Sequence, residues 1–213
     1  MKITAFAQAP EGTDSADYKQ WYLQSFAPSL LKSLPLDGLA VNVIRRAEAL
    51  YEGAGAPPIA DIYSEFWFPD DLLLPLAEIM PTMGTQQAFE VDERVEKAVL
   101  ERRPGVMEGI KLLSPLYPVG DAPTDQSIGY WDLHVPLALR VHAGMTRYVR
   151  DIVVRPLNGA SPIFGIASLH FPSDDAVRDE FFDSPDSIPV HAADLARFVG
   201  SVVPMSAISH VLQ

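Results

Sequence analysis

Residues 118–140 read PVGDAPTDQSIGYWDLHVPLALR, and residues 10–32 read PEGTDSADYKQWYLQSFAPSLLK. The earlier string carries Pro10, Gly12, Tyr22, Pro28 and Lys32. The later one carries Pro118, Gly120, Tyr130, Pro136 and Arg140, each 108 positions further on. The echo continues: Phe68-Pro69-Asp70-Asp71 returns as Phe171-Pro172-Ser173-Asp174-Asp175 with one residue inserted, and Pro104 and Pro204 close the two halves at comparable points. A layout written twice predicts two like-folded units, residues 1–107 and 108–213, whose copies diverge in chemistry. The sharpest divergence is Phe26, which becomes His134.

Each half reads as one series of elements. Residues 2–9 alternate as a strand and meet a turn at Pro10-Glu11-Gly12. From Asp14 to Leu34, Tyr18, Tyr22, Phe26 and Leu30 fall four apart, a helical face. Strands follow at 38–47 and 59–68, separated by the Gly/Pro-rich stretch 53–58. A helix opens at Pro69-Asp70-Asp71 and runs to Met80, and another is predicted from Val91 to Glu101. The second half repeats the order: a strand at 110–117, a helix over 125–142, strands at 145–155 and 162–171, helices at 174–183 and 191–199, and a strand at 203–212. Both halves therefore read β-α-β-β-α-β, the ferredoxin-like arrangement. A four-stranded sheet with helices on one face needs a partner for the other face. The predicted fold is α+β: two ferredoxin-like repeats packed sheet to sheet as an intramolecular α/β-barrel pseudo-dimer. No turn interrupts Ile110-Lys111-Leu112-Leu113-Ser114, so one strand from 106 to 117 is expected to serve both halves as the seam.

Composition narrows the function. A net charge of −12 without a basic stripe argues against nucleic acid and anionic membranes as partners. The absence of cysteine removes disulfides, zinc-thiolate sites, iron–sulfur clusters and thiol nucleophiles. No apolar run is long enough for a membrane span or a secretory leader, so a cytoplasmic protein is expected. No His-Glu-x-x-His or similar spacing predicts a metal site, and no Gly-rich phosphate loop or nucleophile elbow is present. A haem would need an axial ligand, for which His134 or His170 is available; the expectation is that no cofactor is used.

Two groups of residues can carry chemistry. On the helix over 125–142, Tyr130, His134, Leu137 and Val141 share one face, which turns the His134 imidazole toward the sheet. A buried imidazole titrates near neutrality and can act as acid or base; it can equally be a hydrogen-bonded core histidine. The second group lies on the third strands. Alternation places Asp61, Tyr63, Glu65 and Trp67 on one face, matched by Ile166, Ser168 and His170 in the later half. Glu65 beside Tyr63 and Trp67 is either an acid or base of raised pKa, or a structural hydrogen-bonding group that pairs with His170. His142 is read as a helix-end cap, His191 as the start of a helix, and His210 as a residue of the last strand.

The string from Tyr130 to Tyr148, with Trp131, His134, Pro136-Leu137 and Gly144 between them, resembles the EthD family of dimeric α/β-barrel proteins. Gly165-Ile166-Ala167-Ser168-Leu169-His170-Phe171-Pro172-Ser173 is similar to that family's third strand. The resemblance covers residues 108–213 well and 1–105 weakly; the first half lacks the His and has a bulkier, more acidic third strand. It implies paired ferredoxin-like sheets and an apolar small-molecule pocket between helices and sheet. Relatives in the wider superfamily include cofactor-independent monooxygenases, polyketide-tailoring enzymes, decarboxylases, isomerases and some haem proteins. The expected function is a cofactor-independent enzyme for an aromatic or polyketide-like compound, of decarboxylase, cyclase/dehydratase or monooxygenase type. His134 would be catalytic, and Tyr130, Trp131, Tyr148, His170, Trp67 and Glu65 would bind substrate. The alternative is a non-catalytic protein that binds a hydrophobic small molecule. Either a monomeric pseudo-dimer or a homodimer fits.

Overall fold

A computed structural model describes residues 1–45, 59–70, 86–158 and 161–213. The predicted helix after Asp70 and the Gly/Pro-rich stretch 53–58 lie outside the described residues. The elements are β1 (Lys2–Ala7), α1 (Ser15–Trp21), a π-helical turn (Tyr22–Phe26), α2 (Ala27–Ser33), β2 (Gly38–Arg45), β3 (Ile62–Trp67), β4 (Gln86–Ala98) and β5 (Gly105–Val106). They continue with β6 (Ile110–Pro118), α3 (Thr124–Val141), β7 (Arg147–Pro156), β8 (Gly165–Phe171), α4 (Asp174–Glu180), α5 (Ser187–Leu195), β9 (Val199–Val202) and β10 (Met205–Val211).

Eight antiparallel strands close into a barrel in the order β10-β2-β3-β1-β4-β7-β8-β6, and β6 returns to β10. Closure leaves these strands no free edge. Short β5 and β9 extend the pairing of β10 and β6. Two strands join the halves. β4 pairs with β1 through its first part and with β7 through its second. β10 pairs with both β2 and β6. Between these joints the strand orders are β4-β1-β3-β2 and β10-β6-β8-β7.

The structure departs from expectation at two places. Residues 91–98 form strand, not helix. Val91, Val95 and Val99 lie four apart, a spacing that suits both a helix and a strand face. Pairing of β4 with β1 and β7 decides the matter, and its charges find cross-strand partners, as in Arg155–Glu90 and Arg150–Glu96. The seam is not one strand from 106 to 117. Gly109 sits at φ +86, and a Cβ there would lie 2.0 Å from the Phe171 carbonyl oxygen, so the chain turns between β5 and β6.

The first helix starts where Asp14 accepts hydrogen bonds from the Ala16 and Asp17 amides. Pro28 lacks an amide, and the turn before it widens so that the Ala27 N–H reaches Tyr22. α3 runs through Pro136 as continuous helix. Apolar residues gather in three layers. Phe6, Tyr63, Phe89, Leu113, Ile166 and Met205 fill the barrel interior. Tyr18, Tyr22 and Leu30 cover the outer face of β1–β3, and Trp131, Val135 and Ala138 cover that of β6–β8. Among the described residues no helix is long and apolar enough to cross a membrane.

Candidate functional site

α3 buries Ser127, Trp131, His134, Val135, Ala138 and Val141. The stripe is one position round from the expected one: Trp131, not Tyr130, faces the sheet. Gly165 makes this possible, because a Cβ on that residue of β8 would lie 2.3 Å from the Trp131 ring. The Trp131 indole N–H donates to the Tyr148 hydroxyl on β7 at 2.9 Å. Burial raises the Tyr148 phenol well above its ordinary pKa, so it stays protonated and keeps its own hydrogen for a ligand. Tyr130 sits on the shoulder of α3 beneath the Arg197 guanidinium, 4.6 Å from its ring centre.

Beyond β8 the chain leaves the barrel, forms α4 and α5, and returns at Phe198. The space between α3, α5 and the outer face of β6–β8 is a cavity of about 380 Å³. Leu116, Ala167 and Leu169 form its floor, and Trp131, His134, Ala138 and Tyr148 one wall. Phe181, Phe182, Ile188, His191 and Leu195 close it from the other side. The lining is apolar apart from a few convergent polar groups, the usual composition of a small-molecule site.

His134 is 3% exposed, and its Nδ1 lies 2.8 Å from Asp194 Oδ2 on α5. A carboxylate can only accept, so Nδ1 carries the hydrogen and Nε2 keeps its lone pair. Burial lowers the His134 pKa, opposed by the Asp194 hydrogen bond, and the ring is neutral at pH 7. Burial pushes Asp194 up, but hydrogen bonds from His134 and Arg197 outweigh it and hold the carboxylate ionised. A neutral imidazole backed by a carboxylate can remove a proton and stabilise the resulting imidazolium.

Two more histidines line the same space. His142 caps α3, but its Nδ1–H donates to the Phe181 carbonyl at 2.6 Å and not to its own helix. His191 lies inside α5, its ring centre 5.0 Å from that of His134 and 4.9 Å from that of His142. Burial depresses His142 to about 4 and His191 to about 3, so both are neutral at pH 7. The sequence marks His191 only as a helix start and does not mark Asp194 at all. Their signal is the run His191-Ala192-Ala193-Asp194, which puts both side chains on one helical face.

Glu65, Trp67 and His170 are not at this cavity; they point into the barrel. Lys2 Nζ, 4% exposed with its residue, bridges Glu65 (2.9 Å), Asp151 (2.8 Å) and Glu93 (2.7 Å). Lys111 and Asn42 hold the other Glu65 oxygen, and Tyr63 donates to Asp151. Glu65 is held well below its ordinary range: burial raises it, but the two lysines outweigh that. It pairs with lysines and not with His170, whose Nε2 is buried without a hydrogen-bond partner among the described residues. Trp67 donates to Glu93 and stacks under Arg102. An ionised, fully paired Glu65 lacks the raised pKa wanted of an acid, and the interior space beside it is only about 20 Å³. The barrel interior is thus a charge-compensated core. Among the described residues no group of three His, Asp or Glu side chains is placed to hold a metal ion.

The chain superposes over its whole length on solved structures. An anthrone oxidase-like protein matches 99% of this chain and 92% of its own, with a TM-score of 0.60 at 12% identity. A candidate monooxygenase from Fusobacterium nucleatum matches 100% of this chain and 91% of its own, with a TM-score of 0.50 at 8% identity. The closed eight-stranded antiparallel barrel with helices on its outside is compatible with a dimeric α/β-barrel fold. No family model matches the sequence, and no curated protein is similar to it in sequence.

Proposed function

We propose that this protein is an oxygen-consuming enzyme for a hydrophobic aromatic compound, of the polyketide-like class with an acidic C–H or phenolic O–H, working without a bound cofactor. The observation that carries this reading is the His134–Asp194 pair set in the wall of an apolar cavity large enough for a fused aromatic ring system. His134 Nε2 removes the proton, Asp194 stabilises the imidazolium, and the Tyr148 hydroxyl donates to the substrate oxygen where negative charge gathers. Trp131, Leu169 and Leu195 enclose the rings and exclude water. Dioxygen then accepts electrons from the substrate carbanion. For an anthrone, the two methylene hydrogens leave with one oxygen atom as water, and the other oxygen atom becomes the second carbonyl of the quinone. The anthrone is suggested by the name of the superposed relative.

The strand orders β4-β1-β3-β2 and β10-β6-β8-β7 and the motif repeated 108 residues apart support a tandem duplication of an EthD-like ferredoxin unit divided near residue 107. Such a chain is a pseudo-dimer that needs no second copy to close its barrel.

The test is turnover of anthrone in air, read as oxygen uptake and quinone absorbance. Wild type should turn it over and His134→Gln should bind it without doing so. Equal turnover by the variant refutes the assignment of His134. Tight binding by wild type with no turnover makes the chain a binding protein.

A further inference from the structure

We infer that residues 184–197, with α5 at their centre, form a lid whose closure brings Asp194 to His134, so that the catalytic pair exists only over an occupied or closed cavity. The inference rests on the cavity being the site proposed above.

From Ser184 to Arg197 no residue is buried, and α5 itself has none. Ile188 and Val190 are about half exposed. A helix at the surface of a barrel ordinarily buries one apolar face. Here the face that should be packed, Ile188, His191, Ala192 and Leu195, looks into the cavity. The segment is therefore held by few contacts, the property of elements that open at low free energy. Its ends are fixed. The Asp183 amide donates to the Val141 carbonyl at 2.7 Å. Phe198 is 1% exposed, and Gly200 lies so close to β6 that a Cβ would sit 2.4 Å from the Pro118 carbonyl oxygen. A segment pinned at both ends and held between them mainly by His191, Asp194 and Leu195, none of them fully buried, is a hinged flap.

Two contacts hold it shut: Asp194 receives the His134 Nδ1–H, and the Arg197 guanidinium lies over Tyr130 on α3. Within the segment, Arg197 Nη1 donates to the other Asp194 oxygen at 3.0 Å. Arg197 thus acts as a latch: it orients Asp194 and rests on the fixed helix. Opening would admit a flat apolar ligand and, in the same movement, separate the carboxylate from His134. Closing buries Ile188, Ala192 and Leu195 against the ligand and restores the pair. Asp194 and Arg197 are positioning residues in this account.

Amide hydrogen exchange on the full chain, with and without anthrone, tests the lid, and ¹⁵N spectra of the His134 ring test the delivery of Asp194. In the free protein, α5 amides should exchange at least about a hundredfold faster than those of α3. Saturation with anthrone should slow them, and Arg197→Ala should speed them further without changing α3. Asp194→Asn should move the His134 ring signals away from the Nδ1–H tautomer, with α3 exchange unchanged. Protection of α5 equal to that of α3 in the free protein, or ring signals unmoved by Asp194→Asn, would overturn the inference. Fast α5 exchange in a protein that never consumes anthrone upholds the lid and removes the enzymatic reading.

Discussion

The two helix-covered faces of the barrel are built from similar strings and end in opposite states. Over β1–β3 the gap is filled: Tyr18 and Tyr22 are each 1% exposed, and the Ser64 hydroxyl donates to the Tyr22 hydroxyl across the interface. Over β6–β8 the gap is a cavity, and the polar groups around it include three histidines, a carboxylate and a phenol. Ala167 lines that cavity, whereas Ser64 on β3 is engaged by a tyrosine. One layout can therefore end as filled core or as open cavity, depending on whether aromatic rings occupy the space under the helix. Packing that stabilises one face is withheld from the other, which leaves room for a ligand.

Substitutions at the two faces should act in opposite ways. The largest effect on stability is expected at the filled one: Tyr22→Ala opens a void and leaves the Ser64 hydroxyl unpaired, at a cost of about 3–5 kcal/mol in denaturant titration. At the open face the largest effect is on rate. His134→Gln should lower kcat for anthrone by about 10²–10⁴-fold, with little change in ligand affinity by fluorescence titration. Asp194→Asn should cost at least about tenfold in kcat, because His134 loses the group that fixes its tautomer. Ala138→Leu makes the open face resemble the filled one. It should abolish anthrone binding and raise stability by about 0.5–2 kcal/mol, read as a higher melting temperature.

A further effect separates the faces by pH. Burial holds His142 at about 4 in the folded protein against an ordinary 6.5. The unfolded chain therefore binds the proton first, so this group's contribution is intact above about pH 6.5 and is lost as pH falls toward 4. Relative to wild type, His142→Gln should gain stability between about pH 6.5 and 4.5 in thermal melts. A constant difference across that range would place His142 in an exposed, ordinary environment.

The fold was readable because strands and helices follow local patterns: α1 with α2, α3, β6 and β8 all lie close to where alternation and four-residue spacing put them. β4 was not readable, since Val91 and Val95 satisfy both periods and only pairing with β1 and β7 chooses between them. The candidate site was half legible. The Phe26-to-His134 difference marked a helix that lines the cavity, and Trp131 and Tyr148 join His134 there. Glu65, Trp67 and His170 alternate correctly into one face, but that face is the barrel interior, where lysines distant in sequence neutralise the carboxylate. Asp194 lies sixty residues from His134, in an element whose register over α3 no local pattern encodes.

The central claim is that His134 moves a proton inside the cavity, and anaerobic deuterium exchange isolates that step from all oxygen chemistry. Anthrone held in D₂O without oxygen should take up deuterium at its methylene carbon much faster with wild type than with His134→Gln, as read by NMR. Equal exchange rates with the two proteins, or no acceleration over buffer by wild type, would contradict the account.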